Sequence, residues 1–295
     1  MKEARMQAME RAATAALDAP TAPAALGRPS FRWSDIWKAP LHDLPIRDEI
    51  LYQYLPLAPD MSVLEVGPGS GFTAFRLSRH VRRLTLVDIG ADNVAQLRRV
   101  LRSRENVEVV CADACQPGLA SAVGTRFDAA FALEVFELLP DPAACLVNFA
   151  EVLRPDGHLL VQFPNYPPPQ NPGVTWFPTR ADLDRLMEAA GFRSWEVFSL
   201  NLRPHASTLY HELHERPLQL YRRFRDRRNG HDHKPLTYDT TWAFRQRHRL
   251  EPYKYVLHGM WSALVAASRL GGPCFERERL GDEILGKNLL LMARR

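Results

Sequence analysis

The sequence predicts an α/β fold organised as a doubly wound, mainly parallel sheet, and three observations lead there. Short apolar, β-branched runs alternate with helical stretches between residues 60 and 202. The connections are short, as right-handed crossovers that cover both faces of a parallel sheet require. The first apolar run, Ser62-Val-Leu-Glu-Val66, leads directly into Gly67-Pro-Gly-Ser-Gly71. A strand, a glycine loop and a helix in that order form a nucleotide or nucleoside pocket.

Taken in order, residues 1–18 read as an alanine-rich helix and 19–30 as an Ala/Pro arm, so 1–30 form a flexible N-terminal segment. Residues 31–59 carry Trp33, Trp37 and spaced leucines and isoleucines, and read as a helical lid. Strands are predicted over 62–67, 84–89, 107–112, 127–133 and 157–163, and helices over 72–80, 91–103, 142–153 and 179–190. Two further strands, 194–201 and 287–293, bring the sheet to seven. The main domain is thus 60–202 together with 287–295. Residues 203–286, rich in Arg, His, Tyr and Trp, are too long for a loop and read as a helical, substrate-recognising insertion.

Composition bounds the function class. The chain has 295 residues, 46% hydrophobic and 24% charged, with a net charge of +4. These are ordinary values for a globular protein, and the mild basicity permits an anionic partner without demanding one. Four cysteines without a regular framework predict a reducing compartment. Residues 1–30 hold no continuous apolar core of signal-peptide length and no stretch approaches the length of a membrane span, so a cytoplasmic location is expected.

The loop's downstream partners narrow the ligand. The second strand ends in Asp88, placed to accept the hydroxyls of a ribose over the glycines. The third ends in Asp113, which can accept from an exocyclic amine, and Glu65 adds an acid within the loop motif. Acids crowded here repel a dinucleotide or triphosphate, and the lysine of a phosphate-binding loop is missing, because Phe72 and Thr73 follow Gly71. A cationic nucleoside without phosphates fits better.

With these residues in place, Val63-Leu-Glu-Val-Gly-Pro-Gly-Ser-Gly71, Leu86-Val-Asp-Ile89 and Cys111-Ala-Asp113 resemble the successive motifs of class I S-adenosylmethionine-dependent methyltransferases, in their small-molecule, type 11-like branch. Phe127 to Asp141, Leu153 to Val161 with Pro164-Asn165, and Thr179 to Phe192 resemble the later motifs. The resemblance implies a Rossmann-like sheet whose last strand is antiparallel, with S-adenosyl-L-methionine as cofactor and S-adenosyl-L-homocysteine as product. It implies that Glu65, Gly67, Gly69 and Gly71 line the methionine end. Asp88 would bind the ribose and Asp113 the adenine amine, with Ile89 and Ala114 as further cofactor contacts. Glu134 would stand near the sulfonium and the entering acceptor, as cofactor contact and candidate catalytic group. Many relatives carry histidine where this chain has Leu138, so no base is available at that position.

The acceptor site is expected under the lid and the insertion, with Trp37, Tyr166, Tyr210 and Tyr255 as candidate lining residues. No metal is expected. Cys111 and Cys115 read as buried thiols rather than a ligand pair, and His211, His214, His231 and His233 as solvated histidines. The basic run Arg222–Arg228 reads as a solvated helix face, so no nucleic-acid partner is expected. Tyr253, Met260 and Trp261 suit an apolar pocket or a peripheral membrane contact. Three functions follow: methylation of a small, largely apolar metabolite; methylation of a lipid or quinone at a membrane surface; and a non-catalytic cofactor- or nucleic-acid-binding module. Oligomeric state is not legible.

Overall fold

A computed structural model describes residues 48–167, 176–212, 216 and 272–295. In chain order the elements are α1 (Asp48–Tyr54), β1 (Ser62–Val66), α2 (Phe72–Leu77), β2 (Arg83–Asp88), α3 (Ala91–Val100), β3 (Val107–Cys111), α4 (Leu119–Val123), β4 (Phe127–Leu133) and a 3-10 turn (Phe136–Leu138). They continue with α5 (Pro142–Val152), β5 (Leu153–Asn165), α6 (Arg180–Ala189), β6 (Ser194–Leu202), α7 (Pro204–Tyr210), β7 (Phe275–Arg279) and β8 (Lys287–Arg294).

The strands form one sheet in the order β3-β2-β1-β4-β5-β8-β6-β7. β1 pairs in parallel with both β2 and β4, with Glu65 facing Leu86 on one side and Phe131 on the other. All five residues of β1 are buried, which suits its continuous apolar run. The chain leaves β1 toward β2 and β3, then returns to add β4 on the opposite side. The reversal falls between β1 and β4, and sheets of this kind hold ligands beyond the carboxyl ends of the strands at such a point. β8 runs antiparallel to both β5 and β6.

Two apolar cores sandwich the sheet. One holds Val63, Leu84, Leu86 and Phe131 under Ile50 and Leu51 of α1, Phe75 and Leu77 of α2, and Val94 and Leu97 of α3. The other holds Leu64, Val66, Ala130 and Val161 under Leu119 of α4, Leu146 and Phe149 of α5, and Leu183 and Met187 of α6. Helix starts are written locally. Asp141 accepts from Ala144 N at 3.0 Å ahead of Pro142, and Thr179 with Asp182 forms a reciprocal capping box.

The sheet has eight strands among the described residues, not the seven expected. The additional one, β7, falls inside the segment read as a helical insertion. Its sequence, Phe275-Glu-Arg-Glu-Arg279, carries a single apolar residue and reads as a solvated charged stretch. It is an edge strand antiparallel to β6, and Arg277 takes the inward role, with its guanidinium 4.4 Å from the Phe198 ring centre and 5.5 Å from that of Tyr54. Cys111 corrects a second expectation. It is exposed rather than buried, because β3 is the opposite edge of the sheet. Trp37, Tyr255, His214, His231, His233, Tyr253, Met260, Trp261, the run Arg222–Arg228 and the arm 1–30 lie outside the described residues. No described helix is long and apolar enough to cross a membrane.

Candidate functional site

The loop after β1 is fixed by its glycines. Gly67 donates to Val87 O at 2.9 Å, carrying the β1–β2 ladder one residue further, and Gly71 donates back to Pro68 O at 2.9 Å. Gly67 and Gly71 both lie in the left-handed region, with φ 69° and 79°. A Cβ on Gly67 would sit 2.4 Å from Val135 Cγ2, and one on Gly71 would sit 2.7 Å from Leu97 Cδ2. These two glycines are therefore demanded by backbone conformation and by packing together. A Cβ on Gly69 would meet nothing within 4 Å. The loop is open at that residue.

At the end of β2, Asp88 is engaged on both carboxylate oxygens. Oδ1 accepts from Gly90 N at 2.8 Å and Oδ2 from Asn93 Nδ2 at 2.7 Å, while Asn93 Nδ2 also donates to Gly69 O at 3.1 Å. The neighbouring Ile89 is 70% exposed, an unusual setting for a large apolar side chain. At the end of β3, Asp113 Oδ1 accepts from Cys115 N at 2.8 Å, the geometry of a local Asx turn. Asn148 of α5 donates to Ala114 O and Gln116 O, both at 2.8 Å, which pins this turn to the helix behind it.

Glu134, one residue past β4, donates its N–H to Gln162 O at 2.7 Å and has φ 52°. A non-glycine residue in this region costs about 1–2 kcal/mol. Such outliers concentrate where the surrounding structure holds a side chain in place for use. The strain is held by the Gln162 bond on one side and by Val135, wedged against Gly67, on the other.

Beneath the loop lies a buried polar cluster. Asp48 is fully buried and accepts from Thr73 Oγ1 at 2.6 Å and Arg76 Nη1 at 3.1 Å. Burial raises its pKa, and Arg76 and Thr73 pull it back only in part. Glu65 is 5% exposed, and its Oε2 has no hydrogen-bond partner among the described residues. Burial, with Asp48 nearby, raises its pKa well above the carboxylate range. A buried acceptor oxygen without a donor, beside a second acid, is a setting that an added cation relieves.

Of the candidate lining residues, Tyr166 follows the last residue of β5 at the carboxyl edge. The buried Asn165 before it donates to Pro178 O at 3.1 Å and Ile284 O at 3.0 Å, fixing the chain there. Tyr210 ends α7, half-buried against the core that α1 covers. Three side chains at or near this edge escaped sequence reasoning. Asp48 and Asn93 were hidden because nothing local marks an acid or amide at a helix start for burial or for a bond across to the loop. Trp176, whose ring centre is 5.5 Å from that of Phe163, was not singled out because it stands in a Pro-rich connection.

Comparison with known proteins bears on this edge directly. The methyltransferase-domain family model matches residues 64–161, from β1 through Glu134 into β5. A class I methyltransferase domain is present in the chain. The ubiquinone biosynthesis O-methyltransferase of Alkalilimnicola ehrlichii is 32% identical over 122 residues, which are 41% of this chain and 49% of that protein. The protein of the same name from Serratia proteamaculans is 30% identical over 132 residues, 44% and 54% of the two chains. The chain spans about half the length of the curated relatives it matches. Among solved structures, the YcgJ protein of Bacillus subtilis aligns over 84% of this chain and 97% of its own, at 13% identity and a TM-score of 0.49.

Proposed function

We propose that the protein transfers a methyl group from S-adenosylmethionine to an oxygen of a quinone-type or lipid acceptor. One observation carries the cofactor reading: an open glycine loop, Asp88, Asp113 and the strained Glu134 share a single sheet edge within the segment that the methyltransferase model spans. The residues fit this cofactor. The acids and the absence of a loop lysine disfavour phosphates, and the orphaned buried Glu65 oxygen suits an ammonium group.

When bound, S-adenosylmethionine supplies an electrophilic methyl on a sulfonium that leaves readily. The work left to the protein is alignment and exclusion of water. Glu65, with Asp48 behind it, holds the amino end, Asp88 accepts from the ribose hydroxyls, and Ile89 supports the base. Asp113 keeps one carboxylate oxygen for the adenine amine while the other caps its turn. Glu134 faces the acceptor hydroxyl, accepts its hydrogen bond so that the oxygen is aligned for in-line attack, and takes up the proton released as that oxygen is methylated. Acceptor specificity is assigned to the segments 31–59 and 203–286, apart from Asp48 of the first, which serves the cofactor end, and β7 of the second, which belongs to the sheet.

The O-methyltransferases of ubiquinone biosynthesis support the quinone or lipid acceptor over a general small metabolite. Such an acceptor partitions into bilayers, so peripheral membrane contact goes with this reading. The test is tritium transfer from labelled cofactor to a hydroxylated quinol with a short apolar tail, alongside vesicle co-sedimentation that weakens with salt. Label in the quinol, lost in Glu134→Gln, is the expected result. Label in a water-soluble metabolite and none in the quinol would move the acceptor back to the small-metabolite class. Cofactor binding with no transfer to quinol or cell extract would leave only a binding module.

A further inference from the structure

The acid at the end of β2 is gripped from two sides by the start of its own helix. Gly90 N–H reaches Asp88 Oδ1 at 2.8 Å and the Asn93 amide reaches Oδ2 at 2.7 Å. The second hydrogen of the same Asn93 nitrogen goes to Gly69 O at 3.1 Å. One amide therefore uses both its hydrogens to tie the carboxylate to the glycine whose Cα faces open space.

We infer that Asn93 is the positioning residue of the ribose site, fixing the plane of the Asp88 carboxylate and its distance from the glycine loop. The inference rests on reading Asp88 as the ribose acid. A carboxylate turns freely about its last torsion, which is broad and roughly two-fold. With a donor locked on each oxygen, that rotation stops, and each oxygen keeps a lone pair for a further donor. Two oxygens in a fixed plane, each able to accept once more, match two adjacent hydroxyls. Asn93 achieves this without charge. A lysine or arginine there would neutralise the acid, and a second carboxylate would repel it. In the purely structural alternative, Asn93 merely closes the loop through Gly69 and has no effect that passes through Asp88.

Binding of S-adenosylhomocysteine, measured by calorimetry on the full chain, separates the two roles. Asn93→Ala is expected to weaken binding about tenfold, the scale of a lost charge-assisted hydrogen bond. In an Asp88→Ala background, Asn93→Ala should cost nothing further. Asn93→Asp keeps the shape and should bind more weakly than Asn93→Ala at neutral pH. Its deficit should shrink as pH falls toward the carboxylate range, because two adjacent carboxylates repel only when both are ionised. Wild-type affinity in Asn93→Ala, with Asp88→Ala impaired, would overturn the positioning role and leave the ribose site standing. An equal loss with and without Asp88 would also overturn it, assigning the residue to the loop. Unchanged affinity in Asp88→Ala would overturn the ribose reading, and the inference with it. Should Asn93→Ala fail to fold, the pH profile of Asn93→Asp decides, and a flat profile refutes the role.

Discussion

Gly67→Ala and Gly69→Ala, two residues apart in one loop, should fail in different ways. Both place alanine at positive φ, which costs about 1–2 kcal/mol. Both recover about 0.4–1 kcal/mol because alanine has less freedom to lose from the unfolded chain. At Gly67 the new methyl also arrives 2.4 Å from Val135 Cγ2, and overpacking of this kind adds about 1–3 kcal/mol. The net expectation is about 1–4.5 kcal/mol for Gly67→Ala and about 0–1.5 kcal/mol for Gly69→Ala. Urea unfolding followed by circular dichroism measures the difference, and an unchanged slope keeps the comparison two-state. Calorimetry with S-adenosylhomocysteine should show the reverse order of damage per unit of stability lost, with Gly69→Ala folded and poorly binding. Adding Val135→Ala to Gly67→Ala removes the colliding methyl and should restore part of the stability, a non-additivity expected only of residues in contact. Equal destabilisation by the two alanines, or no rescue by Val135→Ala, would refute the assignment of Gly67 to packing and Gly69 to the ligand.

Other outcomes follow from the buried charges. Glu65 has a raised pKa in the folded protein, so its contribution to stability is fully present below its unfolded value and is lost as pH rises through the folded one. Glu65→Gln should therefore gain on the wild type in thermal melts as pH increases. A cationic amino group favours the ionised acid, so cofactor binding should release a proton, seen as buffer-dependent binding enthalpy that vanishes in Glu65→Gln. Asp48→Ala removes the nearer of Arg76's carboxylate partners, leaving Glu49 at 4.0 Å, and should cost up to about 3–5 kcal/mol in denaturant unfolding. His158 is held down to about 4 by burial, with Arg294 adding to the effect and Asp156 opposing it. Its stabilising contribution is present above its ordinary value of 6.5 and is lost as pH falls through about 4. His158→Leu should flatten stability across that window in acid titrations followed by fluorescence, whereas an unchanged slope would clear the residue.

The elements that position the site were legible because each is written locally. β1 is a continuous buried run, β2 ends in Asp88, Asp113 follows two residues after β3, and α5 and α6 begin at caps beside them in the chain. β7 was illegible for the opposite reason. Its inward residues are Phe275 and Arg277, and an arginine becomes a core-facing side chain only when Phe198 and Tyr54 arrive from distant parts of the chain.

The sequence by itself determined the class of fold, the glycine loop and the acids at the strand ends, since spacing and residue type are enough to set them. Only the tertiary structure distinguished the three glycines, because whether a Cβ meets Val135, Leu97 or open space depends on what packs opposite. It alone brought Asp48 beneath Glu65 and turned Asn93 onto both Asp88 and Gly69. Burial and hydrogen-bond partners are properties of the assembled neighbourhood, and a residue's own position in the chain does not carry them.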